Sequence, residues 1–568
     1  MHALPASRAS RALPALLALP ALLALLVTAQ PLAAQRALGL GDDAATLPKG
    51  TLRVGAGLQW DRSNERYDAE GKLRPLGASA GASAWNGQFN TSLAAAASVV
   101  SALSGIAAFD PSLGVLTVQR RDASADNVIS VDVGVLPRLT VGARVRAASH
   151  TIEPRVILNA GRTEGTMGLN PAWANTVARD RNSLLLAQFD SAVAQTTRRI
   201  SQCQLTPAAS GCAPIVANVA AAQSLVSGAA SFATALNRLY GGRPNSGGLP
   251  FIPIANGAAQ QAINQRVLGY RDQFFALGNG AIGTDGPAAA ALFSPADLDR
   301  LLTDSLFGYR LRPLRTVHAY GLGEFALHAK VRVFETVSED TASIRGFAVR
   351  QAVGASLRLS GGSSPDADEV FAPVTGDAGS GLTIKSFTDL FYGNRWSATI
   401  VLTLDQSQSQ EFAIRIPQLT APTVGGLPFP IITAEREAGI TRTPGARLDI
   451  TVTPRVALTR NIRLGATWSL ARQAADAWSV RSIQLPEAMP MVSKADADGW
   501  ASGTDWSEQR LALGGTYSTV EAARSGRART AFDVTYEHQQ SIAGRNWRAS
   551  YLTRDVVTVR WYRRLWGR

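Results

Sequence analysis

Cysteine, histidine and charged residues are all scarce in this sequence. Among its 568 residues there are 2 Cys and 5 His, and only 17% are Asp, Glu, Lys or Arg. This scarcity excludes a disulfide-rich framework and leaves little material for a metal site, so we expect no metal and no cofactor. The mean hydropathy of +0.02 excludes a bundle of membrane-spanning helices. A membrane protein that spans with strands remains compatible with all of these absences.

Blocks of like charge are also absent. The net charge is +13, from 56 Lys and Arg against 43 Asp and Glu, but the basic residues are spread along the chain. Tails that bind nucleic acid carry their charges in runs. We therefore expect no nucleic-acid partner.

The amino terminus has the layout of a bacterial signal peptide. Arg8 and Arg11 precede an apolar run at 13–27, and small residues suited to cleavage follow, up to Ala34 before Gln35. A basic region, an apolar region and a small-residue cleavage site define such peptides. We therefore predict removal of residues 1–34 and export of residues 35–568. An uncleaved signal anchor is the alternative, although the apolar run is short for a membrane span.

Strict alternation of apolar and polar residues begins soon after this segment. In 51–60, Leu52 and Val54 alternate with Arg53 and Gly55. Side chains on a strand point to opposite faces in turn, so this pattern predicts a strand with one apolar and one polar face. The same period of two recurs at 129–135, 139–146, 447–456, 463–470 and 557–561.

Two architectures contain such strands. In a soluble sandwich the apolar face forms a core and strands are short, whereas in a transmembrane barrel that face meets lipid and strands run about 9–11 residues. The strands here are long, and their polar faces are rich in Gly, Thr, Ser and Arg, which suits a wet lumen. We therefore predict an all-β, antiparallel, up-and-down transmembrane β-barrel, with a secreted sandwich or adhesin as the alternative. Aromatic residues placed to form interface girdles are Trp60, Trp396, Trp468, Tyr517, Tyr536 and Trp561.

Short and long connections alternate along the chain. In outer-membrane barrels the short ones are periplasmic turns and the long ones are outer loops. Residues 113–121 and 410–416 also look extended, and they either lengthen neighbouring strands or raise the strand number to fourteen. The alternation predicts twelve strands, with both termini on the periplasmic side, at 49–61, 127–136, 138–149, 323–337, 345–360, 382–392, 395–405, 446–457, 462–472, 508–520, 529–541 and 550–563.

The longest connection, 150–322, must have structure of its own. Residues 181–202 and 215–240 have helical spacing, and we expect the second to be an amphipathic helix that caps the barrel rather than a membrane helix. Together with the apolar run 93–109 they suggest an outer lid or plug. Helices that pack on each other with no ligand role are an equal alternative.

Cys203 and Cys212 both lie in that loop, with eight residues between them. In an exported protein two nearby Cys predict a disulfide. A metal or redox role would need further ligands close by in the sequence, and there are none. The expected disulfide is therefore structural.

Arginine dominates the predicted inner face of the barrel. A charge that faces lipid at mid-bilayer costs roughly 2–4 kcal/mol, so these side chains are expected to point inward. Acids on that face look fewer (Asp132, Asp449, Asp533 and Glu537), which predicts a cationic interior that attracts anions. Alternatively, arginines and acids form salt bridges that brace a closed barrel. The candidate lumen-lining, substrate-binding residues are Arg144, Arg146, Lys330, Arg332, Arg350, Arg358, Arg447, Arg463 and Arg560.

The histidines carry no catalytic signature. His150, His318, His328 and His538 all lack the His-x-Ser-Asn-Gly setting of the outer-membrane phospholipase. His328 shares its predicted face with Lys330, but no nucleophile accompanies it. We therefore predict that the protein is not an enzyme.

Three strings carry a family resemblance. Residues 321–333 begin Gly321-Leu322-Gly323-Glu324-Phe325 and continue as an alternating strand, residues 135–142 form a hairpin sequence, and residues 170–172 read Asn-Pro-Ala. The first two resemble strands of the FadL-like and phenol-degradation MetA-type outer-membrane transporters, with Glu324 in place of the usual Asp. The third is similar to an element of the FadL hatch, although here it lies in an outer loop.

The resemblance implies uptake of hydrophobic or aromatic small molecules. It covers the strands and not the loops. The stretch between the predicted cleavage and the first strand is short, so we expect no room for a FadL-type amino-terminal hatch. The last strand also departs from the group, because Trp566 is followed by Gly567 and Arg568 instead of ending the chain.

These observations together predict an outer-membrane channel. It would allow passive uptake of small hydrophobic or amphipathic solutes, including anionic or aromatic ones, and its partners would be outer-membrane lipid and those solutes. The alternative is a surface adhesin or structural barrel with a plugged lumen, whose outer loops bind a partner.

Overall fold

The computed structural model of the chain describes most of its length. The predicted signal peptide, 1–34, and the short turn predicted at 338–344 lie outside the described part. The described residues are 38, 40–77, 84–86, 91–159, 165–241, 248–305, 310–336, 346–363, 365–373, 375, 379–417, 434–483, 501 and 503–566.

Twelve antiparallel strands close into a barrel. Each strand pairs with its neighbours in chain order, and the first strand pairs with both the second and the last, which closes the cylinder. The predicted up-and-down barrel of twelve strands is confirmed. The strands are β1 (Thr51–Tyr67), β2 (Ser112–Leu136), β3 (Leu139–Asn159), β4 (Val317–Glu335), β5 (Phe347–Ser360), β6 (Gly381–Tyr392), β7 (Trp396–Ser407), β8 (Arg447–Ala457), β9 (Ile462–Gln473), β10 (Trp506–Ser518), β11 (Ala531–Arg545) and β12 (Ser550–Arg564).

The two ends of the barrel differ as predicted. The connections β2–β3, β6–β7 and β8–β9 are short turns at 137–138, 393–395 and 458–461. They alternate with long connections, and β1 begins and β12 ends at the same end as the turns. We call this the turn end and the opposite one the loop end.

Several strands run further toward the loop end than the alternation predicted. β2 includes both 113–121 and 127–136, and β3 continues past the predicted 138–149 to Asn159. Backbone pairing between the two strands continues to Val115 and Asn159, although the apolar alternation has stopped. The loop predicted at 150–322 is therefore shorter than expected, because β3 and β4 take both of its ends.

The other extended stretch, 410–416, does not join the barrel. The strand Gln410–Pro417 pairs with Ala434–Thr443, which in turn pairs with Ala477–Ile483. This small sheet lies within the two long connections that flank β8 and β9. The possibility of fourteen barrel strands was therefore wrong.

The outer surface of the barrel is apolar. Leu327 and Leu402, for example, are each 46% exposed, while the inward-facing Thr399 and Asp132 are buried. Apolar side chains exposed all around a closed barrel are what a lipid-facing surface requires. The predicted assignment of faces is confirmed by this arrangement.

Six helices from two long connections form one domain at the loop end, which we call the helical cap. The helices predicted at 181–202 and 215–240 are present, whereas two later ones were not predicted because one is polar around most of its circumference and the other is short. The helices are α1 (Thr91–Ser104), α2 (Thr176–Leu205), α3 (Ala213–Ala217), α4 (Val219–Tyr240), α5 (Ala258–Ala276) and α6 (Pro295–Thr303).

The core of the helical cap reaches the inner wall of the barrel. Phe189, Phe232 and Ile263 pack in one buried cluster that also contains Val118 of β2 and Ile152 of β3. Both barrel residues lie on the face of their strands that points into the lumen. Burying these side chains contributes roughly 1.5–3 kcal/mol each, so the cap is fixed to the barrel from inside its rim.

Helix α4 is long and apolar enough to cross a membrane by its length and composition. One side of it, including Ala229 and Leu236, is nevertheless buried in the cap core, where α4 packs against α2. Cys203 and Cys212 form a disulfide that joins the end of α2 to the start of α3, which confirms the predicted pairing.

Candidate functional site

The inner wall of the barrel is lined by ion pairs. Four of the predicted lumen-lining arginines lie toward the loop end, and each contacts a carboxylate within hydrogen-bonding distance. The pairs are Arg144–Glu324 at 2.7 Å, Arg146–Asp126 at 2.7 Å, Arg358–Asp405 at 3.0 Å and Arg447–Asp449 at 2.9 Å.

Two further pairs complete a ring around the lumen. Arg510 contacts Glu508 on β10 at 2.5 Å, and Arg554 of β12 contacts Asp61 of β1 at 2.8 Å. Together the six pairs involve strands on every side of the barrel, and we call them the ion-pair belt. The belt lies near the loop end, since Arg447 is the first residue of β8.

The charge of the belt is balanced, one acid to each arginine. The expectation that acids on the inner face are fewer was therefore wrong for this part of the lumen. The predicted strands end at Asp61 and begin after Asp126, whereas both residues lie within strands of the structure. The difference arises because the apolar alternation stops before the strands do. Glu324, Asp405 and Glu508 likewise belong to the outer parts of their strands.

The remaining predicted residues lie toward the turn end and are also engaged. Arg463 is buried on β9, and the Arg332 guanidinium donates to Glu335 and, at 3.2 Å, to the carbonyl of Pro137. The other pairs are Arg350–Asp389 at 2.6 Å, Lys330–Asp42 at 2.9 Å and Arg560–Asp533 at 3.8 Å.

Asp42 belongs to a stretch of chain that fills the turn end of the lumen. This amino-terminal segment, residue 38 with residues 40–50, precedes β1 and is not part of the wall. Leu38, Leu40 and Ala44 are at most 2% exposed, although no helix or strand contains them. The barrel wall around them supplies the burial.

Polar contacts fix the backbone of the amino-terminal segment to three different strands. Arg455 Nε of β8 donates to the Leu40 carbonyl over 2.9 Å. The Ala44 amide donates to Asp389 of β6 at 3.0 Å, and the Leu47 amide to Thr140 of β3 at 2.7 Å. Because these partners surround the lumen, the segment lies across it.

Apolar contacts also hold this segment against the barrel wall. Ala44 packs with Phe387 and Val401, and Leu38 packs with Phe391. Leu40 lies against the inner wall at Gly514, where an added Cβ would come within 2.7 Å of its side chain. A glycine on the wall thus provides room for Leu40.

The expectation of no room for a FadL-type amino-terminal hatch stays a prediction. The few residues before β1 nevertheless enter the lumen, because the barrel wall supplies hydrogen-bond partners for their backbone. The signal that could have indicated this is the acidic pair Asp42-Asp43 just ahead of a barrel with an arginine-rich inner face.

Charge holds Asp42 in place. Partial removal from water favours the neutral acid, but Lys330 at 2.9 Å and Lys385 at 3.6 Å outweigh it and hold the pKa of the Asp42 carboxyl well below its usual value. The carboxylate is therefore ionised at neutral pH. Lys330 Nζ also lies 4.3 Å from the centre of the Phe387 ring. It therefore contacts both the Asp42 carboxylate and an aromatic ring that packs against Ala44.

A groove of about 630 Å³ lies on the helical cap, between α4 and α5. Leu225 and Gly228 form one side, and Arg266, Tyr270 and Gln273 line the other. The side chains along it are a mixture of apolar, aromatic and polar groups. The groove could not be expected from the sequence, because α5 was not predicted.

His328 and Asn170, which were considered above for a catalytic role and for the family resemblance, have structural partners. His328 Nε2 lies 2.6 Å from Asp132, which also accepts from Arg53 at 2.9 Å. Asn170 of the Asn-Pro-Ala string donates to the Leu249 carbonyl at 3.0 Å inside the cap. Among the described residues there is no group of three or more His, Cys, Asp or Glu arranged to hold a metal ion.

No known protein family and no curated protein matches the chain. Similar solved structures include an outer-membrane channel from Pseudomonas putida F1, at 7% identity over 92% of this chain and 98% of that chain with a TM-score of 0.39. They also include the Pseudomonas putida toluene transporter TodX, at 9% identity, 95% and 100% coverage and a TM-score of 0.26. A Pseudomonas aeruginosa FadL homologue has 8% identity, 95% and 99% coverage and a TM-score of 0.25. The likeness concerns the fold alone.

Proposed function

We propose that this protein is an outer-membrane channel for passive uptake of small amphipathic or hydrophobic solutes, closed at its periplasmic end by the amino-terminal segment. One observation carries the proposal. A complete twelve-stranded wall encloses a stretch of chain that is not needed to build it. Removing that stretch opens the lumen without breaking the barrel.

The chemistry along the lumen favours amphipathic solutes. A solute that passes the helical cap meets the ion-pair belt, where Arg144 is 46% exposed. At the turn end, displacement of the amino-terminal segment would uncover Phe387 and Phe391, which are buried beside it. Apolar and charged zones follow each other, so a molecule with both characters finds a partner at each stage. The balanced belt gives no general attraction for anions, so the proposal includes aromatic solutes but no preference for anionic ones.

The orientation of the barrel follows from its two ends. Short turns face the periplasm in outer-membrane barrels, and this general rule supports an orientation with the helical cap and its groove outside the cell. The predicted signal peptide supports export to that compartment. The proposed location is therefore the outer membrane, with lipid around the exposed apolar side chains.

A reversible lock on the amino-terminal segment tests the proposal. Ala44 and Ala352 are both fully buried in one cluster, so Ala44→Cys with Ala352→Cys places two thiols at this contact. In liposomes we expect phenol uptake to fall on oxidation of the double variant and to recover on mild reduction. Wild type and the single variant Ala44→Cys, treated with the same reagents, control for the native Cys203–Cys212 disulfide.

The possible outcomes separate the two candidate functions. Uptake by wild type that equals uptake by empty liposomes would contradict a channel and favour the adhesin or structural barrel. Uptake that persists unchanged in the oxidised double variant would show that solutes do not pass the amino-terminal segment.

A further inference from the structure

In five of the six pairs of the ion-pair belt the arginine is more exposed than its acid, and Arg358–Asp405 is the exception. The side chains of Arg144, Arg146 and Arg447 are 46%, 35% and 39% exposed. Their partners are less accessible, with Glu324 at 13% and Asp126 at 3%. Both charges are nevertheless present at each point of the ring, so a solute in the lumen meets them as pairs.

One acid of the belt has unused hydrogen-bonding capacity. Arg146 and Gln59 both donate to Oδ2 of Asp126, at 2.7 and 3.2 Å. Its other oxygen, Oδ1, is buried and has no hydrogen-bond partner in the part of the chain that the structure describes. A buried carboxylate oxygen without a donor is costly, so a rearrangement of the Arg146–Asp126 pair that brings a donor or a cation to this oxygen would be stabilised.

We propose that the ion-pair belt binds the dipolar head group of small solutes by exchanging partners with it. The carboxylate of a zwitterion takes the place of Glu324 or Asp126 on an arginine, while its cationic group takes the released acid. The number of ion pairs is the same before and after, so the exchange leaves no buried charge unpaired. A solute with a net charge cannot do this, because it strands one member of the pair.

This inference rests on the proposed function for its biological role, and it narrows the solute class to molecules without net charge, dipolar ones above all. It can be tested by binding alone. Glycine betaine is a suitable probe, because acetate and tetramethylammonium correspond to its two halves. Saturation-transfer NMR on the full-length protein in a nonionic detergent compares the three probes directly. We expect betaine to exceed either half by about fivefold, the effect of one additional weak ion pair.

Removing either the acids or the arginines of the belt should change which of the three probes binds best. Asp126→Asn with Glu324→Gln leaves Arg144 and Arg146 without these acids, and acetate should then bind best. Arg144→Gln with Arg146→Gln is the matched variant, and tetramethylammonium should then bind best. Arg74→Gln, which removes a half-exposed arginine from its pair with the buried Asp68 outside the belt, should leave the ranking unchanged. The single variant Glu324→Gln provides a milder test if a double variant does not show the heat-modifiable gel mobility of a folded barrel.

Equal signals for the three probes on wild type, or an unchanged ranking in both double variants, would overturn the inference. Its failure is distinguishable from failure of the proposed function, because binding is measured without transport. A barrel that takes up no solute but ranks betaine first refutes the channel and keeps the belt. A barrel that takes up phenol but shows no preference among the probes supports the channel and refutes binding at the belt.

Discussion

Arg455 of β8 donates from Nε to the backbone carbonyl of Leu40 over 2.9 Å, across 415 residues of sequence. The arginine is only 2% exposed, and it also donates to Thr399 Oγ1 at 2.6 Å. A buried guanidinium must have its donors satisfied, and here the amino-terminal segment supplies an acceptor. The wall and the segment therefore depend on each other at this point.

Replacing this arginine should loosen the amino-terminal segment. In Arg455→Met the Leu40 carbonyl loses a charged donor, and such a bond contributes roughly 1.5–3 kcal/mol. We expect phenol uptake into liposomes to rise roughly tenfold, while the folded barrel keeps its gel mobility. Arg472→Met, at the loop end of β9, is the matched control and should leave uptake unchanged. Equal uptake by both variants would contradict the role given to the segment.

The glycine string that suggested the family resemblance has a local steric role. A Cβ on Gly323 would lie 2.4 Å from the carbonyl oxygen of Thr375, whereas on Gly321 its nearest contact would be 3.4 Å away. Gly323→Ala should therefore displace the connection between β5 and β6, at a cost of about 1–3 kcal/mol. Hydrogen exchange at 365–373 measures this, with Gly321→Ala as the control. Equal protection in the two variants would show that the close approach of Thr375 is not required.

The barrel could be predicted from sequence because the membrane imposes its pattern residue by residue. Leu52 and Val54 must face lipid and Arg53 must not, so the alternation identifies strands and faces together. Beyond the membrane that constraint ends, so the outer part of β3 and the residues of β2 around the belt acid Asp126 were not predicted, although 113–121 was expected to be extended. The contacts of Leu40 with the barrel wall could not be predicted for another reason. They involve strands far apart in sequence, and no local sequence pattern indicates such contacts.

The core of the helical cap should be sensitive to cavities. Phe189 is fully buried against Phe232 and Tyr270, at ring distances of 5.7 and 5.9 Å. Phe189→Ala should cost roughly 3–5 kcal/mol of cap stability. We expect the helical circular-dichroism signal to melt at a lower temperature while the barrel strands persist. Leu184→Ala on the same helix is the control, since Leu184 is 62% exposed and should change the midpoint little. A single shared transition in Phe189→Ala would indicate that cap and barrel unfold together.

Acid should release a contact between outer loops at Asp476. This fully buried carboxylate accepts from Arg442 at 2.7 Å and from Arg548 at 2.8 Å, and so joins three connections at the loop end. Burial works to raise the pKa of Asp476, but Arg548 and Arg442 outweigh it and lower the pKa below its usual value. The folded state thus binds the proton less readily than the unfolded state does.

The direction of the pH effect follows from that difference. A carboxyl whose pKa is lowered by folding contributes stability in full above its unfolded pKa, about 3.9, and loses it as pH falls further through the folded value. Hydrogen exchange at 474–479 should therefore be constant from pH 7 to about 5 and accelerate, after correction for the intrinsic rate, below about pH 4. Asp476→Asn should lack this protection throughout, so the two proteins should converge in acid. Loss of wild-type protection already between pH 7 and 5 would point to a group other than Asp476, because a lowered carboxyl pKa cannot produce a transition there.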